Sequence, residues 1–185
     1  CTLPSAVSRG IAGHSMGAYG AMKIAMKHPD VFCSVYSMSG GSASLETILE
    51  TRKDFFLQCM QMTYYNRFEP HPWLRIPIAM VVAMAPNPSM EPFMGEFPYN
   101  EHGNPVDSIW QKWLTHDPVS LLDKYYNSVK QLKAIRFDCG TNDEAILSNS
   151  ILSETLTLNE IEHVFETYSG DHMNMIVIRI AEELL

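Results

Sequence analysis

Apolar residues in this chain come in short runs separated by turn-forming residues, and the spacing inside the runs alternates between strand-like and helix-like. Val7–Gly13 is a compact run that predicts a short buried strand, and Met16–His28 predicts a helix. Ala18, Ala21 and Ala25 fall on one face of that helix, a strip small enough to press against a sheet, and Pro29 ends it. Val31–Met38, rich in Val, Phe and Tyr, predicts a second strand. After Ser44, apolar residues at 45, 48, 49, 55, 56, 59 and 60 keep close to helical spacing. Ala134–Cys139 predicts a third strand and His163–Thr167 a fourth. Between them lies a helix over Ala145–Asn159 with Leu147, Ile151, Leu152 and Leu158 as its buried positions. Asn174–Leu185 predicts a closing helix.

Residues 70–105 have a different character. Eight of the eleven prolines fall there, among Met, Phe, Trp and Tyr, so a long helix or central strand is not expected, while the aromatics require a packed segment. The prediction is an insertion over one end of the sheet with a short strand near Ile78–Met84, part of a cap-like segment spanning 44–125. Asp117-Pro118 then places a capping carboxylate before a proline at the first helical position, opening a helix through about Tyr126.

Strands alternating with helices at this interval predict an α/β fold with a mostly parallel sheet, helices on both faces and an insertion after the second strand. A chain of 185 residues can bury a sizeable core as one domain, 1–185. The net charge of −8 and the lack of a basic cluster interleaved with aromatics point away from nucleic acid. No apolar stretch approaches the ~20 residues that span a bilayer, and the first residues do not read as a secretory leader, so no membrane partner is predicted. Cys1, Cys33, Cys59 and Cys139 are widely spaced and read as buried thiols, with a disulfide left open.

The chemistry begins at Gly13-His14-Ser15-Met16-Gly17. G-x-S-x-G between a strand and a helix is the pattern of a turn that lifts a serine hydroxyl to the strand tip, with glycines on both sides because the turn leaves little room. The same turn aims the Met16 N–H, at a helix N-terminus, at an oxyanion. A serine hydroxyl needs a base, and the base needs an orienting carboxylate. In a parallel sheet such groups meet at the carboxyl ends of strands. Ser15 follows the first strand, Asp143 the third and His172 the fourth, and the order Ser, Asp, His is the α/β-hydrolase order. Within hydrogen-bond reach of one another they would form a triad. Competing residues have simpler roles: Asp138 lies within a strand, Glu144 opens a helix, and Asp171 abuts His172. His14 is a packing residue inside the elbow, His28 suits a helix C-terminus, and His163 opens a strand. Trp73, Trp110 and Trp113 read as core before pocket, and His71, His102 and His116 lack metal-ligand spacing, so neither a metal nor a cofactor is expected.

GHSMGAYGAMKIAMKHPDVF, FDCGTNDE and YSGDHMNM, with AMAPNP and THDPVSLL less specifically, resemble the putative-esterase branch of the α/β-hydrolase superfamily, which includes feruloyl and acetylxylan esterases, S-formylglutathione hydrolases and mycolyltransferases. The resemblance implies Ser15 as nucleophile, Asp143 as acid and His172 as base of a serine esterase acting on small-molecule esters. The alternatives are an acyltransferase with the same triad and a non-catalytic module that binds a partner. The resemblance extends to the C-terminal portion of an α/β-hydrolase fold. The elbow begins about ten residues from Cys1, where the family has several strands and the loop supplying a second oxyanion donor. This implies an unpaired edge at Val7–Gly13 and pairing with another chain, either a homo-oligomer or the polypeptide carrying the front half.

Overall fold

The computed structural model describes residues 3–41, 43–62 and 72–183. They form two compact units, Cys1–Leu45 with Asp117–Leu185, and Glu46–His116.

The first unit holds four strands, β1 (Gly10–His14), β2 (Ser34–Met38), β3 (Ala134–Gly140) and β4 (Val164–Tyr168), all parallel and in the order β1-β2-β3-β4. Among the described residues β1 is therefore one edge of the sheet. Two strands start later than their apolar runs. Val7 belongs to a single 3-10 turn, Ala6–Ser8, and is exposed. Val31 and Phe32 both donate their N–H to the carbonyl of His28 (3.0 Å each), a turn that keeps them out of β2.

Side chains alternate across the sheet. Ile11, Val35, Ile135, Phe137 and Phe165 share one face and form a core with α1 (Met16–Lys27), α6 (Pro118–Val129) and α7 (Ile146–Leu158). Ala18, Ala21 and Ala25 are buried, as their spacing predicts. Asp117 caps α6 by accepting from Ser120 N–H (3.1 Å), and its other oxygen accepts from Leu45 N–H (2.8 Å). The opposite face carries Tyr36, Arg136, Asp138 and Glu166, and α8 (Ile176–Glu183) ties to it through Arg179. The guanidinium donates to Asp138 Oδ2 (2.7 Å) and Glu166 Oε2 (2.6 Å), and the Tyr36 hydroxyl also donates to Asp138. Helices thus lie on both faces, but apolar packing dominates one and an ionic network the other.

The buried face of α7 differs from expectation. Leu147 and Leu158 are 52% and 83% exposed, whereas Ser148, Asn149, Leu152 and Leu156 are buried. Asn149 accounts for the rotation: its amide nitrogen donates to Gly40 O (3.1 Å) and Ala145 O (2.8 Å), anchoring a polar side chain inside, while its Oδ1 has no partner among the described residues.

The second unit contains α2 (Leu45–Thr51) from Glu46 onward, then α3 (Lys53–Met60), α4 (Arg75–Met84) and α5 (Asp107–Leu114). The apolar spacing across 45–60 belongs to two helices, broken at Arg52 (φ −112°, ψ 14°). The strand expected at Ile78–Met84 is instead α4. Pro77 sits in its first turn, where a missing N–H forfeits no intrahelical bond. The buried set Pro77, Ile78, Val81 and Met84 follows helical spacing that an unbroken apolar run conceals. Cys59, Leu74, Ile78 and Phe93 form one core cluster. Phe56 packs edge-on against the fully buried Trp113 (5.4 Å), and Trp110 edge-on against Tyr99 (6.0 Å). Trp73 is 74% exposed, contrary to a core role, and His71 lies outside the described residues. No helix among the described residues is long and apolar enough to cross a membrane.

Candidate active site

The turn after β1 is set by backbone geometry. Ser15 has φ 58° and ψ −118°, a region L residues seldom adopt, and its N–H donates to Met38 O (3.0 Å). A Cβ at Gly13 would lie 2.2 Å from the Gly17 carbonyl oxygen, so a side chain there is excluded. The crowding is one-sided: a Cβ at Gly17 meets nothing within 4 Å, and Gly17 matters as the backbone that Gly13 must clear. Met16 opens α1, where the first N–H groups lack intrahelical acceptors, and its side chain is exposed.

The loops after β3 and β4 meet the elbow. Asp143 follows β3 and His172 follows β4, and two glycines allow these loops to touch: a Cβ at Gly140 would fall 2.4 Å from the carbonyl oxygen of Gly170. Thr141 N–H donates to Tyr168 O (2.8 Å) and Asn142 N–H to Gly170 O (2.9 Å), continuing the ladder past the strands. His172 Nδ1 stands 2.9 Å from Asp143 Oδ2, and His172 Nε2 stands 2.9 Å from Ser15 Oγ. A carboxylate can only accept, so the imidazole proton sits on Nδ1 and Nε2 is left to accept from the serine hydroxyl. The Asp143 side chain is 2% exposed and that of His172 36%. Burial pushes the Asp143 carboxyl up, but hydrogen bonds from Ala145 N–H (2.9 Å) and His172 Nδ1–H outweigh it and hold the group below the ordinary carboxylate range. The neighbouring Cys139 thiol is pushed up to about 12 by burial and by the Asp143 charge.

The other candidates are engaged elsewhere. Asp138, fully buried, belongs to the Arg179 network. Asp171 is exposed and accepts from the N–H groups of Met173 (2.8 Å) and Asn174 (2.9 Å), shaping the loop that carries His172. His163 donates from Nδ1 to Ile161 O (2.9 Å), accepts at Nε2 from Ser153 (2.8 Å) and stacks on Phe137. His28 caps the end of α1. His14 packs its ring 4.9 Å from that of His172, and it does more: its Nε2 lies 2.8 Å from the His172 carbonyl oxygen, a bond that ties the histidine loop to β1. Sequence reasoning missed Gly140 and Gly170, which carry a readable signal, a glycine at each strand-to-loop junction.

A family model described as "Putative esterase" matches residues 2–175. No curated protein matches the chain by sequence. Among solved structures the chain is similar to a substrate-bound fluorophosphonate-binding serine hydrolase of Staphylococcus aureus, with 23% identity and a TM-score of 0.54 over 92% of this chain and 49% of that one. It is also similar to an S-formylglutathione hydrolase of Staphylococcus aureus (21% identity, TM-score 0.50, 92% of this chain, 46% of that one). A ferulic acid esterase is comparable (18% identity, TM-score 0.50, 92% of this chain, 47% of that one). These likenesses show an α/β-hydrolase fold, and the chain spans about half the length of the structures it matches.

Proposed function

The chain belongs to the putative-esterase family, and from that membership and the site geometry we propose that it takes part in hydrolysing small-molecule carboxylic esters through Ser15, His172 and Asp143. The observation that carries this reading is the unbroken row Asp143 Oδ2, His172 Nδ1, His172 Nε2, Ser15 Oγ, with 2.9 Å at each of its two hydrogen bonds.

In the reaction, Ser15 Oγ attacks the ester carbonyl as its proton passes to His172 Nε2. Negative charge builds on the former carbonyl oxygen and is received by the Met16 N–H, a reading supported by its position at the start of α1. Asp143, kept ionised by the hydrogen bonds from Ala145 N–H and His172, stabilises the imidazolium and fixes its tautomer. His172 then returns its proton to the leaving alcohol, leaving an acyl-Ser15 ester. Water enters, gives a proton to His172 and attacks the acyl carbon. Collapse frees the acid and restores the serine hydroxyl.

The test is turnover of a short p-nitrophenyl ester by the protein and by Ser15→Ala. The variant is expected to lose about three orders of magnitude or more in kcat. Equal turnover by the two proteins would refute the reading.

A further inference from the structure

The nucleophile and the base come from the two outer strands of the described sheet. Ser15 follows β1 and His172 follows β4, yet His172 Nε2 stands 2.9 Å from Ser15 Oγ. The chain leaving β4 is still beside the β3 loop at Gly170, whose carbonyl accepts from Asn142 N–H (2.9 Å). From β3 to β1 is two strand spacings, about 10 Å, while two residues, Asp171 and His172, extend the backbone by at most about 7 Å. The histidine segment therefore leans out across the carboxyl ends of the strands, and its far end is held by what β1 offers.

What β1 offers is its last residue, His14. Its Nε2 lies 2.8 Å from the carbonyl oxygen of His172, and its ring packs 4.9 Å from the His172 ring. A carbonyl oxygen only accepts, so His14 Nε2 carries the proton. Bonds within the histidine loop have a different effect. Asp171 Oδ1 accepts from Met173 N–H (2.8 Å) and Asn174 N–H (2.9 Å), and Asn174 Oδ1 accepts from Asp171 N–H (3.1 Å). These give the loop its shape. The His14 bond sets where the loop stands relative to the nucleophile, because His14 and Ser15 are consecutive residues.

We propose that His14 is a positioning residue: its Nε2–H, bonded to the His172 carbonyl, registers the base against the nucleophile and keeps His172 Nε2 at Ser15 Oγ. The consequence for turnover rests on the triad reading, whereas the tie itself is a property of the folded chain. Ring contact alone does not achieve this, since a ring limits how closely His172 approaches and leaves the loop free to withdraw. A directional bond to the main chain of His172 opposes withdrawal.

The experiment compares His14→Phe, which keeps a ring and removes the donor, with His14→Gln, which removes the ring and returns an amide donor at similar reach. For a p-nitrophenyl ester, kcat is expected to fall about ten- to a hundredfold in His14→Phe with KM little changed, and to recover most of that loss in His14→Gln. A histidine that only packs gives the opposite order, since phenylalanine preserves the packing and glutamine does not. A second readout needs no turnover: the low-field proton resonance of the His172–Asp143 hydrogen bond should be sharp in wild type and His14→Gln, and broadened by exchange with water in His14→Phe. A third needs no variant, and decides the matter should either variant fail to fold: nitrogen-15 NMR of the wild-type protein is expected to show His14 protonated at Nε2. An unprotonated Nε2 overturns the proposal, as does a His14→Phe protein that matches wild type or outperforms His14→Gln. The expected resonances in a protein that hydrolyses no ester uphold the tie and refute the hydrolase reading instead.

Discussion

Asp138 and Asp143 are five residues apart, both buried, and replacing each by asparagine should damage different properties. Asp138→Asn preserves volume and removes the charge. In the native protein Oδ2 accepts from Arg179 Nε at 2.7 Å and from the Tyr36 hydroxyl, while Oδ1 has no partner among the described residues. Hydrogen bonds to a charged group contribute about 1.5–3 kcal/mol and those between neutral groups about 0.5–1.5 kcal/mol. Converting two charge-assisted bonds to weaker ones therefore costs about 2–3 kcal/mol. The amide nitrogen takes the place of the unpartnered Oδ1 and adds little. Arg179 keeps Glu166, so the network is weakened and not abolished. For a chain of this size the loss corresponds to a Tm lower by about 4–12 °C, with kcat within a few-fold of wild type. Asp143→Asn should do the reverse. An amide nitrogen facing His172 Nδ1 cannot accept its proton, the ring takes the other tautomer, and Nε2 can no longer accept from Ser15. A loss of about 10⁴ in kcat is expected, with a smaller change in Tm. Thermal unfolding and steady-state hydrolysis of a p-nitrophenyl ester on both variants decide the matter. The reasoning is refuted if Asp138→Asn loses as much kcat as Asp143→Asn while its Tm is unchanged, because the strand carboxylate would then be the partner of His172.

Gly13→Ala should abolish hydrolysis and impair folding, since its Cβ would sit 2.2 Å from the Gly17 carbonyl oxygen; a stable, active Gly13→Ala protein, judged by circular dichroism and turnover, would contradict the elbow geometry. The Asp143 carboxyl is depressed in the folded protein, so its stabilisation is fully present above the ordinary carboxylate range and is lost as pH falls through its folded value. Urea midpoints measured from neutral to acid pH should therefore fall less steeply in Asp143→Asn than in wild type. Burial raises the Cys59 thiol to about 11, and burial with the Asp143 charge raises Cys139 to about 12, so both should resist alkylation at pH 8 and react only after denaturation, as mass spectrometry of labelled peptides can show.

What the sequence determined by itself was local and periodic. Small residues at 18, 21 and 25 mark the sheet-facing side of α1, Asp117-Pro118 marks a helix start, and glycines around Ser15 mark a turn that few other residues permit. Strands alternating with helices imply a parallel sheet, and a parallel sheet gathers the residues that follow its strands at one edge; Ser15, Asp143 and His172 could be singled out on that ground alone. Tertiary structure decided everything that depends on contact between distant segments. An all-apolar run such as Ile78–Met84 has no visible period, and helix replaced strand there because Pro77 falls in a first turn that tolerates it. Asn149 of α7 faced inward because Gly40, 109 positions away, offered its amide a carbonyl. Gly140 and Gly170 matter only because their backbones approach each other. Periodicity records which face of an element is apolar, whereas a buried polar group is tolerated or excluded according to partners that only the folded chain brings within reach.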